Sequence, residues 1–308
     1  MSGKKVLITG GFGNLGSWIS EYLDNLGYIV FILSKNIKDS PYNIIQADIT
    51  DINELKEKLD IDFDYVIHTA SYNEFFHNNY AKKALLVNSL GSRNLIEILK
   101  DKHIKKFIYL STFHIYGENS GVITEDTIPN PENDYASTHL FAEYYLKQFY
   151  ATHKFPSTIF RLTNSYGTPK SIDSNKWYLV LNDLVKSAFI DNKIILNSNG
   201  KAIRDFIYMG DVCKVIEKSL SLQEHQILNL SSNQTHSILY IANKVKFVYK
   251  QRYDKNIEII LNNNDKTLSS NLTVDNSRLK KFIDIKFSNK FEYEINNIFD
   301  LLELNNGR

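Results

Sequence analysis

The sequence predicts an α/β fold: a doubly wound parallel sheet with a smaller C-terminal lobe. Strand-like and helix-like segments alternate regularly as far as about Thr168, which is the pattern of a parallel sheet wrapped by helices on both faces. Beyond that point the alternation loosens and Asn-rich and Lys-rich patches appear, for example Asn262 to Asp265. We therefore expect residues 170–308 to form mainly the smaller lobe, with some segments returning to the main sheet.

Each predicted element follows from its side-chain pattern. Lys5 to Thr9 is a short β run, and Asn14 to Leu26 spaces its apolar residues along one helix face before Gly27, which favours a helix end. Continuous apolar runs predict buried strands at Tyr28–Leu33, Asn43–Ala47, Tyr65–His68, Lys106–Leu110 and Thr158–Leu162. Helices are predicted at Asp51–Leu59, about Tyr80–Lys102 and Tyr135–His153, and further strands at Lys193–Leu196 and Ile257–Leu261.

Composition excludes several classes of protein. The 36 basic and 35 acidic side chains give a net charge of +1, which provides no electrostatic basis for binding nucleic acid or an anionic membrane. One cysteine, Cys213, rules out intrachain disulfides and multi-cysteine metal cages, so we expect no metal site. No apolar run approaches the roughly 20 residues that span a bilayer, and the N-terminus does not resemble a secretory signal. We expect a soluble, cytoplasmic protein.

The turn between the first strand and first helix carries the pattern G-x-G-x-x-G at Gly11, Gly13 and Gly16. This spacing allows a tight turn, a close approach of the backbone to a pyrophosphate, and close helix–strand packing. The free N–H groups of the helix start favour phosphate there. These features indicate a dinucleotide-binding Rossmann domain over residues 1–169, with cofactor contacts expected from Gly10, Gly13, Asn14, Leu15 and Gly16.

The end of the second strand bears on the choice between NAD and NADP. An acidic residue at this position would hold the ribose hydroxyls of NAD, but the sequence has Ser34 and Lys35. Lys35 fits a contact to the 2′-phosphate of NADP and equally a solvated surface lysine, and no arginine accompanies it. Asp48, at the end of the third strand, is expected to hydrogen-bond the adenine amino group.

Several motifs together resemble the extended short-chain dehydrogenase/reductase family, in its nucleotide-sugar epimerase/dehydratase branch. They are VLITGGFGNLG at the glycine turn, VIHTAS (Val66 to Ser71), Asn88 to Leu95, YLSTFHIYG (Tyr109 to Gly117), RLTNSYG (Arg161 to Gly167) and RDFIYMGDV (Arg204 to Val212). The resemblance implies a nucleotide-sugar substrate and NAD as cofactor, with NADP left open. It also implies further cofactor contacts from Ile49, Thr69, Ala70, Ser71 and Asn88.

The resemblance places the reacting centre at Thr112, Tyr135 and His139, the latter two also touching the cofactor. In the family a tyrosine takes a hydroxyl proton, and a lysine four residues later lowers the tyrosine pKa; here that position is His139. Imidazole is mostly neutral at pH 7 and provides less fixed charge. Three interpretations follow: His139 replaces the lysine in a working site, which we favour; oxidised nicotinamide provides most of the charge; or the protein only binds.

The substrate is expected to contact Thr112, His114, Asn164 and Arg204. Arg204 suits a diphosphate because guanidinium can bind two oxygens at once, whereas Arg161 has either a binding or a structural role. Family dehydratases carry acidic residues after the catalytic hydroxyl, where this chain has Phe113 and His114, so 4,6-dehydration is disfavoured. His114 is expected to contact substrate rather than transfer a proton.

The resemblance therefore implies hydride transfer at C4 of a nucleotide-linked sugar. The specific hypothesis is a 4-dehydrogenase of a GDP-sugar such as a GDP-heptose, used in capsule or lipopolysaccharide synthesis. Alternatives are a 4-epimerase, a 4-keto reductase, and a catalytically weakened dinucleotide sensor.

The predicted helix from Tyr135 onward has an apolar surface too wide for one buried stripe, with Leu140, Phe141, Tyr144, Tyr145, Leu146 and Phe149. Such a surface calls for a partner. Family members commonly pair this helix and the preceding one in a two-fold four-helix bundle, so we expect a homodimer.

Overall fold

The computed structural model describes residues 3–73 and 78–306, which fold around a large parallel sheet. In chain order the strands are β1 (Lys5–Thr9), β2 (Ile29–Ser34), β3 (Asn43–Gln46), β4 (Tyr65–His68), β5 (Lys106–Thr112), β6 (Gly121–Ile123), β7 (Ser157–Leu162), β8 (Asn164–Tyr166), β9 (Lys193–Leu196), β10 (Ile203–Tyr208), β11 (Gln226–Leu230), β12 (Thr235–Ser237), β13 (Glu258–Leu261) and β14 (Leu272–Val274).

The helices wrap this sheet and build the smaller lobe. They are α1 (Asn14–Asn25), α2 (Ile52–Lys58), α3 (Tyr80–Ala84), α4 (Ser92–Leu99), α5 (Asp134–His153), α6 (Val180–Asp191), α7 (Met209–Ser219), α8 (Ile238–Tyr253), α9 (Ser277–Phe282) and α10 (Phe291–Asn306). A π-helical segment, Leu85–Gly91, joins α3 to α4, and a 3₁₀ turn, Phe113–Tyr116, follows β5. Of the helices in the described ranges, none has both the length and the apolar character that a membrane crossing requires.

The large sheet has seven strands in the order β11-β7-β5-β4-β1-β2-β3, and each neighbouring pair is parallel. This arrangement confirms the predicted doubly wound α/β fold. The order reverses between β1 and β4, and ligands of such sheets bind in the crevice outside the strand ends at this point. The edge strand β11 was not predicted, and it comes from the C-terminal part of the chain.

Two apolar layers enclose the sheet, because successive strand residues point to opposite faces. On β1, Leu7 packs with α2, α4 and α5, whereas Val6 and Ile8 pack with α1 and α7. All three side chains have no exposed surface. Gly27, with φ of +83°, ends α1 as predicted by donating its N–H to the Asp24 carbonyl at 2.8 Å.

The predicted single helix from Tyr80 to Lys102 differs from the observed structure. It contains the π-helical turn and ends at Leu99. Gly91 lies directly on Ile49, and a Cβ at position 91 would be only 2.8 Å from that side chain. The glycine therefore lets the widened turn rest on the core, and the turn brings Asn88 and Ser89 inside.

The smaller lobe has its own core beside the strand ends. In a second sheet β10 pairs with β8 in parallel and with β12 in antiparallel orientation. Strands β9 and β13 pair in a separate two-stranded sheet. Helices α6, α8 and α10 cover these strands, and Tyr166 stacks on Phe291 with ring centroids 4.2 Å apart. The chain does not stay in this lobe: α7, β11 and α9 pack with the large sheet.

A buried ion pair joins α5 to β7. The Arg161 guanidinium contacts the Glu143 carboxylate through Nε and Nη2, with Nη2 at 2.8 Å from Oε2, and the two side chains are 2% and 0% exposed. Ser111 donates to Glu143 Oε1 at 2.6 Å, and Arg161 Nη1 donates to the Tyr116 hydroxyl at 2.9 Å. These contacts indicate that Arg161 has the structural role, and not the binding role, of the two that the sequence left open.

Breaking this pair should cost much more stability than breaking a surface pair. Arg161→Leu leaves the Glu143 carboxylate buried without its cation, so the free energy of unfolding should fall by about 3–5 kcal/mol in urea denaturation. The control Lys244→Ala removes a partly exposed pair with Glu292 and should cost less than about 1 kcal/mol. Equal losses in the two variants would contradict this structural role.

Candidate active site

A cavity of about 590 Å³ lies between the carboxyl ends of the strands of the large sheet and the smaller lobe. The 3₁₀ turn after β5, the start of α5, β8 and the start of α6 form its walls. Of the predicted site residues it brings together Thr112, His114, Tyr135 and Asn164. The sequence analysis did not single out Asn73, Tyr80, Tyr166 or Asn182, which also line it.

The glycine turn has the form that a dinucleotide requires. Gly10 has φ of +69°, and a Cβ there would be 2.8 Å from the Ala70 backbone. A Cβ on Gly16 would overlap the Gly10 carbonyl, so α1 packs closely on β1. No side chain caps the start of α1, and the Asn14 Oδ1 atom is buried without a hydrogen-bond partner. These features fit a pyrophosphate at the helix N-terminus.

The residues predicted to surround the adenosine end lie at or just after the ends of β2 and β3. Ser34 is half-buried, Lys35 is exposed, and Asp48 follows β3 with Oδ1 accepting the Thr50 N–H at 2.9 Å. Ile49 is different. Its side chain is 6% exposed and lies in the core under Gly91, so hydrophobic burial leaves it no side-chain contact with a cofactor.

The segment after β4 is held beside the glycine turn. The Thr69 hydroxyl donates to the Thr9 carbonyl at 2.7 Å, and the Ala70 N–H donates to Thr9 Oγ1 at 3.2 Å. Asn88 needs a correction: its oxygen accepts the Tyr72 N–H, and its amide donates to the Tyr72 carbonyl and the Thr138 hydroxyl. Since both amide protons and the oxygen are engaged, Asn88 braces this segment instead of facing a cofactor.

Tyr135 is half-buried in the cavity wall, which Thr112 also lines. Desolvation raises the pKa of Tyr135 to about 12, although hydrogen bonding by the Thr112 and Ser71 hydroxyls opposes the rise. The ring of His139 meets that of Tyr135 edge-on, with centroids 4.5 Å apart. The hydroxyl pair that the sequence placed at Thr112 and Tyr135 is thus assembled.

His139 lies behind Tyr135 and is 2% exposed. Its Nε2 is 3.0 Å from Ser71 Oγ, and its Nδ1 is 2.7 Å from the Tyr109 hydroxyl. Desolvation lowers the pKa of His139 to about 3, with small further contributions from two other histidines. The ring is therefore neutral at pH 7, and it provides no positive charge beside Tyr135.

Sequence reasoning missed Tyr109 as the partner of His139. A signal for it exists in two periodicities. Tyr109 and Ser111 are two residues apart on a strand and face the same side, while His139 and Glu143 are four apart on one helix face. Tyr109 bonds His139 as Ser111 bonds Glu143, so the two pairs fix how α5 lies on β5.

The other predicted substrate contacts lie on the lobe side. The His114 ring is exposed to the cavity, and enclosure by the walls together with the Arg204 guanidinium lowers its pKa. Arg204 is half-buried, and no carboxylate in the described ranges pairs with it. The Asn164 amide donates to the Asp205 carbonyl at 3.0 Å. An unpaired guanidinium near the cavity is suited to an anionic ligand.

Comparisons with known proteins agree with this geometry. The sequence model of the NAD dependent epimerase/dehydratase family matches residues 6–231. The chain is 28% identical to dTDP-D-glucose 4,6-dehydratase of Dictyostelium discoideum over 79% of its own length and 61% of that protein. It is 27% identical to UDP-glucose 4-epimerase of Corynebacterium glutamicum, over 77% of this chain and 78% of the relative.

The fold also has a solved counterpart. UDP-glucuronic acid 4-epimerase of Bacillus cereus, solved with UDP-glucuronic acid and NAD, superposes with a TM-score of 0.78 at 22% identity, covering 97% of this chain and 99% of that one. The family match spans most of the chain, including the glycine turn and the segments that carry Thr112 and Tyr135. The chain therefore belongs to the NAD dependent epimerase/dehydratase family, within the extended short-chain dehydrogenase/reductases.

Proposed function

We propose that this chain is an NAD-dependent oxidoreductase that transfers hydride at C4 of a nucleotide-linked sugar. The observation that carries the proposal is that Tyr135 and Thr112 line the wall of one cavity, where burial raises the pKa of the Tyr135 phenol and hydrogen bonding by Thr112 opposes that rise. Relatives named as UDP-glucose 4-epimerase and dTDP-D-glucose 4,6-dehydratase support a sugar joined to a nucleoside diphosphate.

In the proposed reaction Tyr135 takes the proton of the sugar hydroxyl, and Thr112 holds the oxygen between them. Bound NAD would supply the hydride acceptor and a positive charge near the phenol. Gly10, Gly13, Asn14, Leu15 and Gly16 would hold its pyrophosphate, with Ser71 and Thr69 beside them. Because His139 is neutral, it cannot make Tyr135 a base by charge, so this proposal favours the interpretation in which nicotinamide provides the cation.

The diphosphate end of the substrate is assigned to Arg204 and Asn164. Arg204 has a free guanidinium close enough to His114 to lower the pKa of that imidazole. His114 is assigned a hydrogen bond to the substrate, because its ring is open to the cavity and lies 6.4 Å from the Tyr135 ring. His114 and Asn164 line the cavity, and Arg204 lies near His114.

Elimination of water is disfavoured by the same wall. Phe113, which is 7% exposed, and His114 occupy the two positions where dehydratases of the family carry Asp-Glu, or at least a Glu at the second, and no acidic residue of the described ranges lines the cavity. We therefore favour plain oxidation over 4,6-dehydration, with a 4-dehydrogenase of a GDP-sugar such as a GDP-heptose as the specific hypothesis. A 4-epimerase and a 4-keto reductase use the same residues and are the alternatives.

The reaction should be visible as a change in nicotinamide absorbance. With NAD or NADH and a panel of UDP-, GDP-, CDP- and dTDP-sugars, one sugar should give turnover, and Tyr135→Phe should lower the rate at least about 100-fold because the proton acceptor is lost. Tyr293→Phe, an exposed tyrosine on α10, is the matched control and should retain full activity.

Silence across the whole panel, with cofactor binding intact, would reject the enzyme. It would instead support the alternative of a dinucleotide-binding protein without catalytic activity, with which a neutral His139 is consistent.

The cavity wall also restricts the charge of the sugar. Asn73, Asn133 and Asn182 contribute amides and Tyr80 a phenol, while no Asp, Glu, Lys or Arg side chain of the described ranges lines the space. Arg204 is assigned to the diphosphate, so a second anionic group would lie there without a cation. Burying an unpaired carboxylate is expensive, and we propose that the accepted sugar is uncharged.

This charge restriction is measurable once the nucleotide is known. The hexuronate of the accepted sugar should have a kcat/KM about 100-fold below that of the neutral hexose, because its carboxylate has no partner. Asn182→Lys places a cation at the wall and should narrow the gap. Equal kcat/KM values for the two sugars in the unaltered enzyme would contradict the uncharged-sugar proposal.

Two packed helices expose an apolar surface on the outside of the large sheet. Leu140, Leu146 and Phe149 of α5 are buried within the chain, but Phe141 and Tyr144 are each 50% exposed. The neighbouring helix adds Leu85 and Leu90, at 51% and 40%. We propose that a second copy covers this surface in a two-fold four-helix bundle, which supports the expected homodimer.

Light scattering at micromolar concentration should give the mass of a dimer. Phe141→Glu puts a charge on this surface and should shift the protein to monomer. Phe247→Glu, on α8 of the smaller lobe and 47% exposed, is the control that should leave the dimer unchanged. A monomeric wild-type protein would rule out the proposed interface.

A further inference from the structure

A series of hydrogen-bonded side chains leads from the core of the large sheet towards the phenol of Tyr135. The Tyr109 hydroxyl contacts His139 Nδ1 at 2.7 Å, and His139 Nε2 contacts Ser71 Oγ at 3.0 Å. The His139 ring meets the Tyr135 ring edge-on with centroids 4.5 Å apart, and Ser71 lies close enough to Tyr135 for hydrogen bonding to oppose the rise that burial causes in the pKa of the phenol. Tyr109 and His139 are 1% and 2% exposed, whereas Ser71 is exposed in the crevice after β4. Three separate elements, β5, α5 and the segment after β4, thus converge on one phenol.

The donor and acceptor of each hydrogen bond can be assigned in turn, starting from Ser92, which lies beside Tyr109. Ser92 Oγ is 2.5 Å from the Asn88 carbonyl, which can only accept, so Ser92 donates its single proton there. Ser92 must then accept from His68 Nε2 at 2.8 Å. Ser92 therefore has no proton for Tyr109. The Tyr109 hydroxyl lies 2.7 Å from His139 Nδ1; because a phenol donates more readily than it accepts and an unprotonated imidazole nitrogen is a strong acceptor, we assign Tyr109 as the donor.

The remaining directions follow from the first. A neutral imidazole carries one proton, and with Nδ1 accepting, that proton is on Nε2 and points to Ser71 Oγ. Ser71 then accepts from His139, and its own proton is free for the phenol oxygen of Tyr135. His139 and Ser71 each accept one hydrogen bond and donate another, and Tyr109 donates its proton, so none of these three protons is left unpaired.

We propose that Ser71 is a catalytic residue that donates a hydrogen bond to the Tyr135 oxygen, with His139 and Tyr109 as the positioning residues that aim it. This inference rests on the proposed function in taking Tyr135 as the base. A hydroxyl that can only donate stabilises a phenolate more than a phenol, so the neutral chain does part of the work of a nearby cation. The sequence assigned Ser71 to the cofactor alone.

Among the residues that the structure describes, the groups that face Tyr135 and His139 do not provide an alternative cation. The titratable side chains that face them are Tyr80 from α3, Tyr178 from the segment before α6, His114 from the 3₁₀ turn, His68 from β4 and Tyr109 from β5. None of these carries a positive charge at neutral pH in its present surroundings, since burial also lowers the pKa of His68, to about 3. Hydrogen bonding is therefore the stabilising contact that the chain itself offers the phenolate.

The first test reads the proton on His139 directly. Imidazole ¹⁵N spectra of the full chain, with His139→Gln to assign the signal, should show the Nε2–H tautomer in wild type. Tyr109→Phe removes the donor to Nδ1 and should release the ring into a mixture of tautomers. His68, held by Thr9 at 2.6 Å and by Ser92, is the internal control and should keep its Nε2 proton in both proteins. A proton on Nδ1 of His139 in wild type would overturn the proposal.

The second test measures Tyr135 itself, in the NAD-loaded protein without sugar. The ultraviolet difference between each protein and its Tyr135→Phe counterpart reports the tyrosinate of Tyr135 alone. Ser71→Ala should raise the pKa of Tyr135 by about one pH unit, since a hydrogen bond to the charged form is lost, and Ser71→Thr should restore it. The exposed Ser221→Ala is the control. An unchanged titration in Ser71→Ala would refute the role of Ser71.

These two measurements need no sugar substrate, so they separate the two proposals. If the predicted tautomer and titration shift are found but no nucleotide sugar reacts, the hydrogen-bond chain stands and the proposed oxidoreductase function fails. If a sugar reacts but His139 carries its proton on Nδ1, the function stands and the assignment of Ser71 fails.

Discussion

Burial of an imidazole between β5 and α5 is the constraint on which the site depends. An imidazole ring without access to water remains neutral unless a carboxylate faces it. The two ring nitrogens of His139 instead face the hydroxyls of Tyr109 and Ser71. One helical turn further on, Glu143 meets the Arg161 guanidinium. Helix α5 therefore docks on the sheet through one neutral and one ionic contact, and Tyr135 at its start is positioned by both.

Local patterns predicted those parts of the structure that depend on neighbours in sequence. The strands of the large sheet other than β11, the end of α1 at Gly27 and the glycine turn follow from apolar runs and from positions that favour glycine. The hydroxyl pair of Thr112 and Tyr135 followed from motifs in the same way. In these cases a short stretch of chain holds both the pattern and the contact that satisfies it.

Features that depend on distant contacts were not predictable in this way. The π-helical turn packs Gly91 against Ile49, a residue far away in the chain, and the Ile49 side chain is buried there. Asn88 belongs to a segment that resembles a family motif, but its side-chain amide donates hydrogen bonds to Tyr72 and Thr138. The charge state of His139 likewise depends on burial by other elements, which no i to i+4 spacing reveals.

The smaller lobe is interleaved with the large sheet rather than appended to it. After β8, α6 and β10 the chain returns as α7 and β11, leaves again as β12 and α8, and returns once more as α9 before α10 ends it. Without β11, strand β7 would have an unpaired edge. One continuous gene segment that encodes the smaller lobe would therefore also encode helix α7 and strand β11, so exchanging the lobe between relatives would exchange an edge of the large sheet as well.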